Sequence, residues 1–207
     1  MRVVRRKKKS AAHEARAAAY RTLILGAAER VFASKGFDGA KIKDIADEAG
    51  LALGTVYAVF ESKRDVFIGV HAQRGGALLQ EVMATVEGTD APFEAMAKAQ
   101  RAACRFYAAH PFYLRMHLYS GTAWAAPRLD VDEERRAYDQ GIAALVALFA
   151  RAAERGQLIE ERPETCAHLY LAIIQVVLTE WEAGGFAISA ADVADRLERY
   201  VLRTFTP

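Results

Sequence analysis

The sequence predicts an all-α protein, with an N-terminal three-helix helix-turn-helix head followed by a larger C-terminal helical bundle, about nine helices in total. Three observations predict it. Apolar residues recur at three- and four-residue spacing along most of the chain, with no alternating strand pattern and no internal repeat. Gly and Pro fall at helix-length intervals, where helices stop and start. Between Leu23 and Phe67 the order is helix, short helix, glycine-centred turn and third short helix.

The head helices follow in order. Leu23 to Lys35 carries Leu23, Ala27, Val31 and Phe32 at helical spacing and stops at Gly36, suited to a left-handed cap. Lys41 to Ala49 offers Ile42, Ile45, Ala46 and Ala49 as one stripe, and Gly50 turns the chain. The third helix is about two turns long and ends in Gly54-Thr55-Val56-Tyr57-Ala58-Val59-Phe60. Its small residues, Ala52 and Gly54, suit two backbones that approach closely. On periodicity alone, any three-helix cluster fits equally well.

Ser62-Lys63-Arg64-Asp65 resembles a capping box and opens a long helix to about Glu87, the natural lever between head and body. Pro92 starts a helix with Phe93, Met96, Ala97, Gln100, Cys104 and Tyr107 on one face, and His110-Pro111 breaks it. After a short helix, Gly121 and Pro127 bracket a loop carrying Trp124. A long helix from about Asp130 closes at Gly156, and Pro163 starts another that reaches Glu182 before Gly184-Gly185. Ser189-Ala190-Ala191-Asp192 caps the last, whose stripe is Val193, Leu197, Tyr200 and Val201. The helix from Pro163 is apolar on more than one face, with Cys166, Tyr170, Ile174, Val177 and Trp181 as one stripe, so a second chain is expected to cover part of it.

Charge is unevenly placed. Residues 1–75 hold 15 Lys/Arg against 8 Asp/Glu, whereas 76–207 hold 13 against 18. A basic head on an acidic body fits a polyanion at one end. The run Arg5-Arg6-Lys7-Lys8-Lys9 reads either as a solvated tail or as a DNA-contacting arm. The expected domains are a basic arm at 1–19, a helix-turn-helix domain at 20–68, and a ligand-binding and dimerisation domain at 69–207. No apolar stretch follows the basic residues and Ala167 to Leu178 is too short to span a bilayer, so a cytoplasmic protein without membrane contact is expected. Cys104 and Cys166 lie far apart and read as two buried thiols.

Ile24-Leu25-Gly26-Ala27-Ala28, Phe32-Ala33-Ser34-Lys35-Gly36-Phe37, Lys43-Asp44-Ile45-Ala46, Ala49-Gly50, Gly54-Thr55-Val56-Tyr57, Phe60 and Ser62-Lys63 together resemble the N-terminal domain of TetR-family transcriptional regulators. The resemblance implies a homodimer on a palindromic operator, with Arg21, Thr22, Tyr57 and Lys63 holding phosphates and Lys43, Ala52, Leu53 and Thr55 facing bases. It also implies pairing of the last two helices with their twofold mates. The candidates there are Tyr170, Ile174, Val177, Trp181, Val193, Leu197, Tyr200 and Val201, with the partner-facing side left open. In the body it implies an effector pocket, consistent with a cluster rich in Met and aromatics. Candidate lining residues are Met83, Met96, Cys104, Tyr107, Met116 and Trp124, with Gln100, His117 and Gln175 to orient a small, largely apolar or aromatic effector. Ordinary core packing is the competing reading for each.

The head departs from the usual family pattern. Ala52 stands where Ser is common, Leu53 where a polar residue is common, and Ala58-Val59 where His-Tyr is common. The chain has no Asn, and no Gln lies within 20–68, so the bidentate adenine reader is absent. Thymine methyls read by Ala52, Leu53 and the Thr55 methyl, with Lys43 as guanine reader, are the expectation that remains. No catalytic motif, cofactor loop or metal-ligand cluster occurs; His110 and His117 lack a nearby carboxylate in sequence. A non-enzymatic, ligand-released repressor is therefore the first reading. A DNA-binding protein without an effector, and more remotely an all-α enzyme, are the alternatives.

Overall fold

The computed structural model describes residues 2–119, 124 and 132–207, with side chains for 14–119, 124 and 138–207. Every regular element among these residues is helical: α1 (Arg2–Gly39), α2 (Ile42–Ala49), α3 (Leu53–Tyr57), α4 (Lys63–Val86), α5 (Pro92–Ala109), α6 (Pro111–Leu118), α7 (Asp132–Glu154), α8 (Pro163–Ala183) and α9 (Ala190–Phe205). The chain divides into two compact units, Met1–Ala77 and Leu78–Pro207. Among the described residues no helix is long and apolar enough to cross a membrane.

In the first unit α1 buries Ile24, Leu25, Ala27, Ala28, Val31 and Phe32. Leu23, assigned to this face by spacing, is 53% exposed, whereas Ala27, Val31 and Phe32 of the same stripe are buried. The backbone leaves helical geometry at Gly36 (φ 69, ψ 171), where the sequence placed the stop. Beyond it Phe37 packs against Phe32 and Phe67. The start of α2 is held by the Lys41 N–H, which donates to the Asp44 carboxylate at 2.9 Å. Lys35 also binds Asp44 at 2.9 Å, and that hydrogen bond, ahead of the one from Lys41, holds the carboxyl below its ordinary range. At the other end Gly50 adopts the left-handed conformation (φ 66, ψ 32) and its N–H returns to the Ala46 and Asp47 carbonyls.

The close backbone approach expected at Gly54 is elsewhere. A Cβ added at Gly54 would meet nothing within 4 Å, whereas one at Gly69 of α4 would sit 2.9 Å from Leu25 Cδ2 and 3.2 Å from Phe60 Cε1. Small residues near the turn therefore reflect the exposed surface of α3, and Gly69 lets α4 lie close to Leu25 and Phe60.

In the second unit α5 packs along α9, and α8 contacts α6, α7 and α9. Phe149 of α7 is fully buried between Tyr170 of α8 and Phe205 of α9, with Met96, Cys166 and Val201 in the same cluster. Arg101 of α5 binds Asp195 and Glu198 of α9. Arg115 and Tyr119 converge from α6 and its end on the buried Glu182 of α8 (2.6 and 2.8 Å). This packing corrects the interface expected from the stripes. Tyr170, Val177, Trp181, Val193, Leu197 and Val201 are buried in the chain's own core, Ile174 is half-buried, and only Tyr200 is exposed. The strict apolar stripe is the one that faces the core, as on any amphipathic helix.

Candidate functional site

The α2–Gly50–α3 segment presents one side of a very short helix outward. Val56 is the single α3 residue buried, while Ala52, Leu53, Gly54, Tyr57 and Ala58 are exposed. Leu53 and Tyr57 are large apolar groups on the outside, 43% and 53% exposed. Ala52 starts the helix without a side-chain cap, as its lack of a hydroxyl requires. Thr55 is half-buried beside them.

The charged candidates are not equally free. Lys43 pairs with Asp47 one turn along α2 at 2.7 Å, with both side chains well exposed, and that hydrogen bond raises its pKa. A base edge would have to compete with Asp47 for this ammonium. Arg21 lies with its guanidinium carbon 4.6 Å from the centre of the Phe60 ring, a cation–π arrangement that fixes an exposed positive group. Thr22 donates its hydroxyl to the Ala18 carbonyl at 3.1 Å on the exposed side of α1. The Lys63 ammonium donates to the carbonyls of Phe37, Asp38 and Ala40 at 2.6, 3.3 and 2.9 Å. It stands apart from the other phosphate candidates because its bonds turn into the head.

In the second unit the structure joins most of the pocket candidates in two groups. Gln100 is 3% exposed, and its Nε2 lies 3.5 Å from the Tyr170 hydroxyl, a long contact. Its Oε1 has no hydrogen-bond partner among the described residues. Cys104 lies near this pair, and burial pushes its thiol up to about 12 and the Tyr170 phenol likewise to about 12. Burial also raises the Tyr107 phenol. These are neutral, unreactive groups at any physiological pH.

The second group is a file of rings. Tyr107 stacks on Tyr113 (6.2 Å between centroids), Tyr113 on His117 (5.8 Å), and His117 lies against Trp124 (4.5 Å). The Trp124 N–H of the backbone donates to Gln175 Oε1 at 2.9 Å, which brings α8 into the group. Met116 is buried nearby in α6. Two candidates are not brought in. Met96 belongs to the packed core around Phe149, and Met83 of α4 is 57% exposed. Sequence reasoning placed Tyr170 at the interface and missed it as the partner of Gln100. Its seventy-residue separation from Gln100 gave no local signal.

Among the described residues no cluster of three or more His, Cys, Asp and Glu is placed to hold a metal. Residues 24–70 match the family model described as bacterial regulatory proteins, tetR family. The chain is 30% identical over 179 residues to the HTH-type transcriptional repressor BepR of Brucella suis biovar 1 (strain 1330), covering 83% of this chain and 84% of that one. The chain therefore belongs to the tetR family of bacterial regulatory proteins, a family of transcriptional regulators.

Solved structures share the fold, among them FadR and SmeT. FadR from Bacillus subtilis in complex with stearoyl-CoA superposes with a TM-score of 0.73 at 16% identity, over 87% of this chain and 97% of that one. SmeT, the repressor of the Stenotrophomonas maltophilia multidrug efflux pump SmeDEF, superposes in its triclosan complex with a TM-score of 0.68 at 18% identity, over 91% and 92%.

Proposed function

We propose that this protein is a ligand-responsive transcriptional repressor that binds a palindromic operator as a homodimer and is released by a small, largely apolar or aromatic effector. The observation that carries the DNA reading is the outer side of α3, where Leu53 and Tyr57 stand exposed while Val56 anchors the helix from behind. Residues 20–68 act as the DNA-binding domain and 69–207 as the effector and dimerisation domain. The basic arm at 1–19 precedes them. The protein works in the cytoplasm and performs no catalysis.

The base-reading surface is poor in hydrogen-bonding groups. Ala52, Leu53 and the Thr55 methyl suit the 5-methyl of thymine, and Lys43 supplies a donor for guanine once it exchanges Asp47 for the base. Arg21, Thr22 and Tyr57 set register on phosphates. For the effector, the ring file from Tyr107 to Trp124 offers stacking surface, and Gln100 offers a buried amide with hydrogen-bonding capacity to spare. The relatives that hold stearoyl-CoA and triclosan support a ligand with a substantial apolar part. An effector that favours one arrangement of the dimer about 100-fold contributes roughly 2.7 kcal/mol of coupling, enough to empty an operator near half-saturation.

The test is a footprint on the DNA upstream of the gene, followed by replacement of thymine with uracil at each protected position. Protection of a palindrome, with losses of about 1 kcal/mol per key uracil, supports this reading. Protection that uracil leaves unchanged removes the methyl readout. No protected palindrome on that DNA, and none selected from a random duplex pool, removes the operator reading.

A further inference from the structure

We propose that Lys63 is a positioning residue for DNA recognition and not a phosphate contact. Resting on the DNA-binding reading above, this assigns to the ammonium the task of holding the turn between α1 and α2. An ammonium has three N–H donors. Those of Lys63 are matched by three carbonyls, Phe37 at 2.6 Å, Ala40 at 2.9 Å and Asp38 at 3.3 Å. The Phe37 ring, with its centre 4.5 Å from Nζ, covers another side of the cation. A phosphate oxygen would therefore have to displace a carbonyl.

The turn has reason to need this cation. The chain leaves helical geometry at Gly36, so the carbonyls at 37, 38 and 40 project beyond the regular part of α1. Lys63 is the first residue of α4, where a positive charge opposes the helix dipole. The negative ends of three peptide dipoles offset that penalty. One residue past the last of these carbonyls, Lys41 is the N-cap of α2, which carries Lys43 and turns at Gly50 into α3. The ammonium thus fixes the entry to the helix pair that reads DNA, across a separation of 23 to 26 residues.

The experiment uses the full-length dimer and a duplex selected by the wild type from a random pool. Affinity is measured over a salt series for the wild type, K63M and K63R, with melting temperature and helix content recorded for each. Both variants are expected to bind about tenfold more weakly at every salt concentration, with the wild-type slope and a melting temperature lower by about 5 °C. Arginine keeps the charge, but its planar fork does not converge three N–H groups on three carbonyls.

A slope shallower by about 0.9 in K63M, with K63R binding like the wild type, would make Lys63 a phosphate contact and overturn the proposal. Unchanged affinity in both variants despite lower melting temperatures would make its role purely structural and overturn it equally. If K63M does not fold, K63R at low temperature decides, because a phosphate contact predicts full affinity and the carbonyl hub predicts its loss. A wild type that selects no duplex would instead remove the DNA reading itself.

Discussion

Arg74 of α4 donates from Nε to the Glu29 carboxylate of α1 at 2.8 Å, and Glu29 is 6% exposed. A buried carboxylate is tolerable only with such a partner, because its desolvation is otherwise uncompensated. R74M should destabilise the protein by about 3 kcal/mol in urea unfolding. Adding E29Q should recover a large part of that loss, because the neutral amide no longer needs a cation. Equal stability for R74M and the wild type would show that Glu29 is satisfied by other means.

Two glycines of α4 should respond in opposite ways to alanine. At Gly69 the new methyl meets Leu25 Cδ2 at 2.9 Å and Phe60 at 3.2 Å, so G69A should cost about 1–2 kcal/mol even after the gain in helix propensity. At Gly76 nothing lies within 4 Å, so G76A should stabilise by about 0.5–1 kcal/mol. Thermal melts of the pair separate packing from backbone entropy. Shifts of the same sign would contradict the packing around Gly69.

His71 gives the first unit an acid-side weakness. Burial lowers its pKa from 6.5 to about 4, and the ring packs edge-on against Phe67 (4.5 Å). Its folded pKa lies below the unfolded one, so the unfolded chain takes up the proton first. Stability is therefore full above pH 6.5 and falls as pH drops from 6.5 toward 4. The expected loss is about 1–3 kcal/mol over that window. Urea midpoints measured for the wild type and H71L should show the wild type losing stability relative to H71L as pH falls across the window. Parallel curves would remove His71 as the cause.

The dimer is expected to use the face of α8 opposite its buried stripe. Leu169 and Val176, seven residues apart, are 46% and 58% exposed, and Leu202 of α9 is 38% exposed. V176E should shift sedimentation toward the monomer with helix content unchanged, since its side chain leaves the fold's own core intact. V177E should unfold the body instead. A V176E protein that remains fully dimeric would place the contact elsewhere.

The limits of sequence reading are physical and fall at particular residues. Helix existence and order are legible because Gly36, Gly50, Pro92, Pro111, Pro163 and Ser189 punctuate the chain where the helices stop and start. Which face of a helix turns inward is less so. Leu23 and Val176 are as apolar as their buried neighbours, and only the packing partners decide between them. Tertiary roles are least legible. The carbonyl cage of Lys63, the Gln100–Tyr170 contact and the tight fit at Gly69 each join segments distant in sequence, and no local pattern announces them.

Binding of effector and operator must be reciprocal if one releases the other. The most direct measurement is calorimetric titration of an active apolar compound into the dimer, alone and saturated with its operator. The factor by which the operator weakens effector binding should equal the factor by which the effector weakens operator binding. Equal effector affinity in the two titrations would contradict a ligand-released repressor.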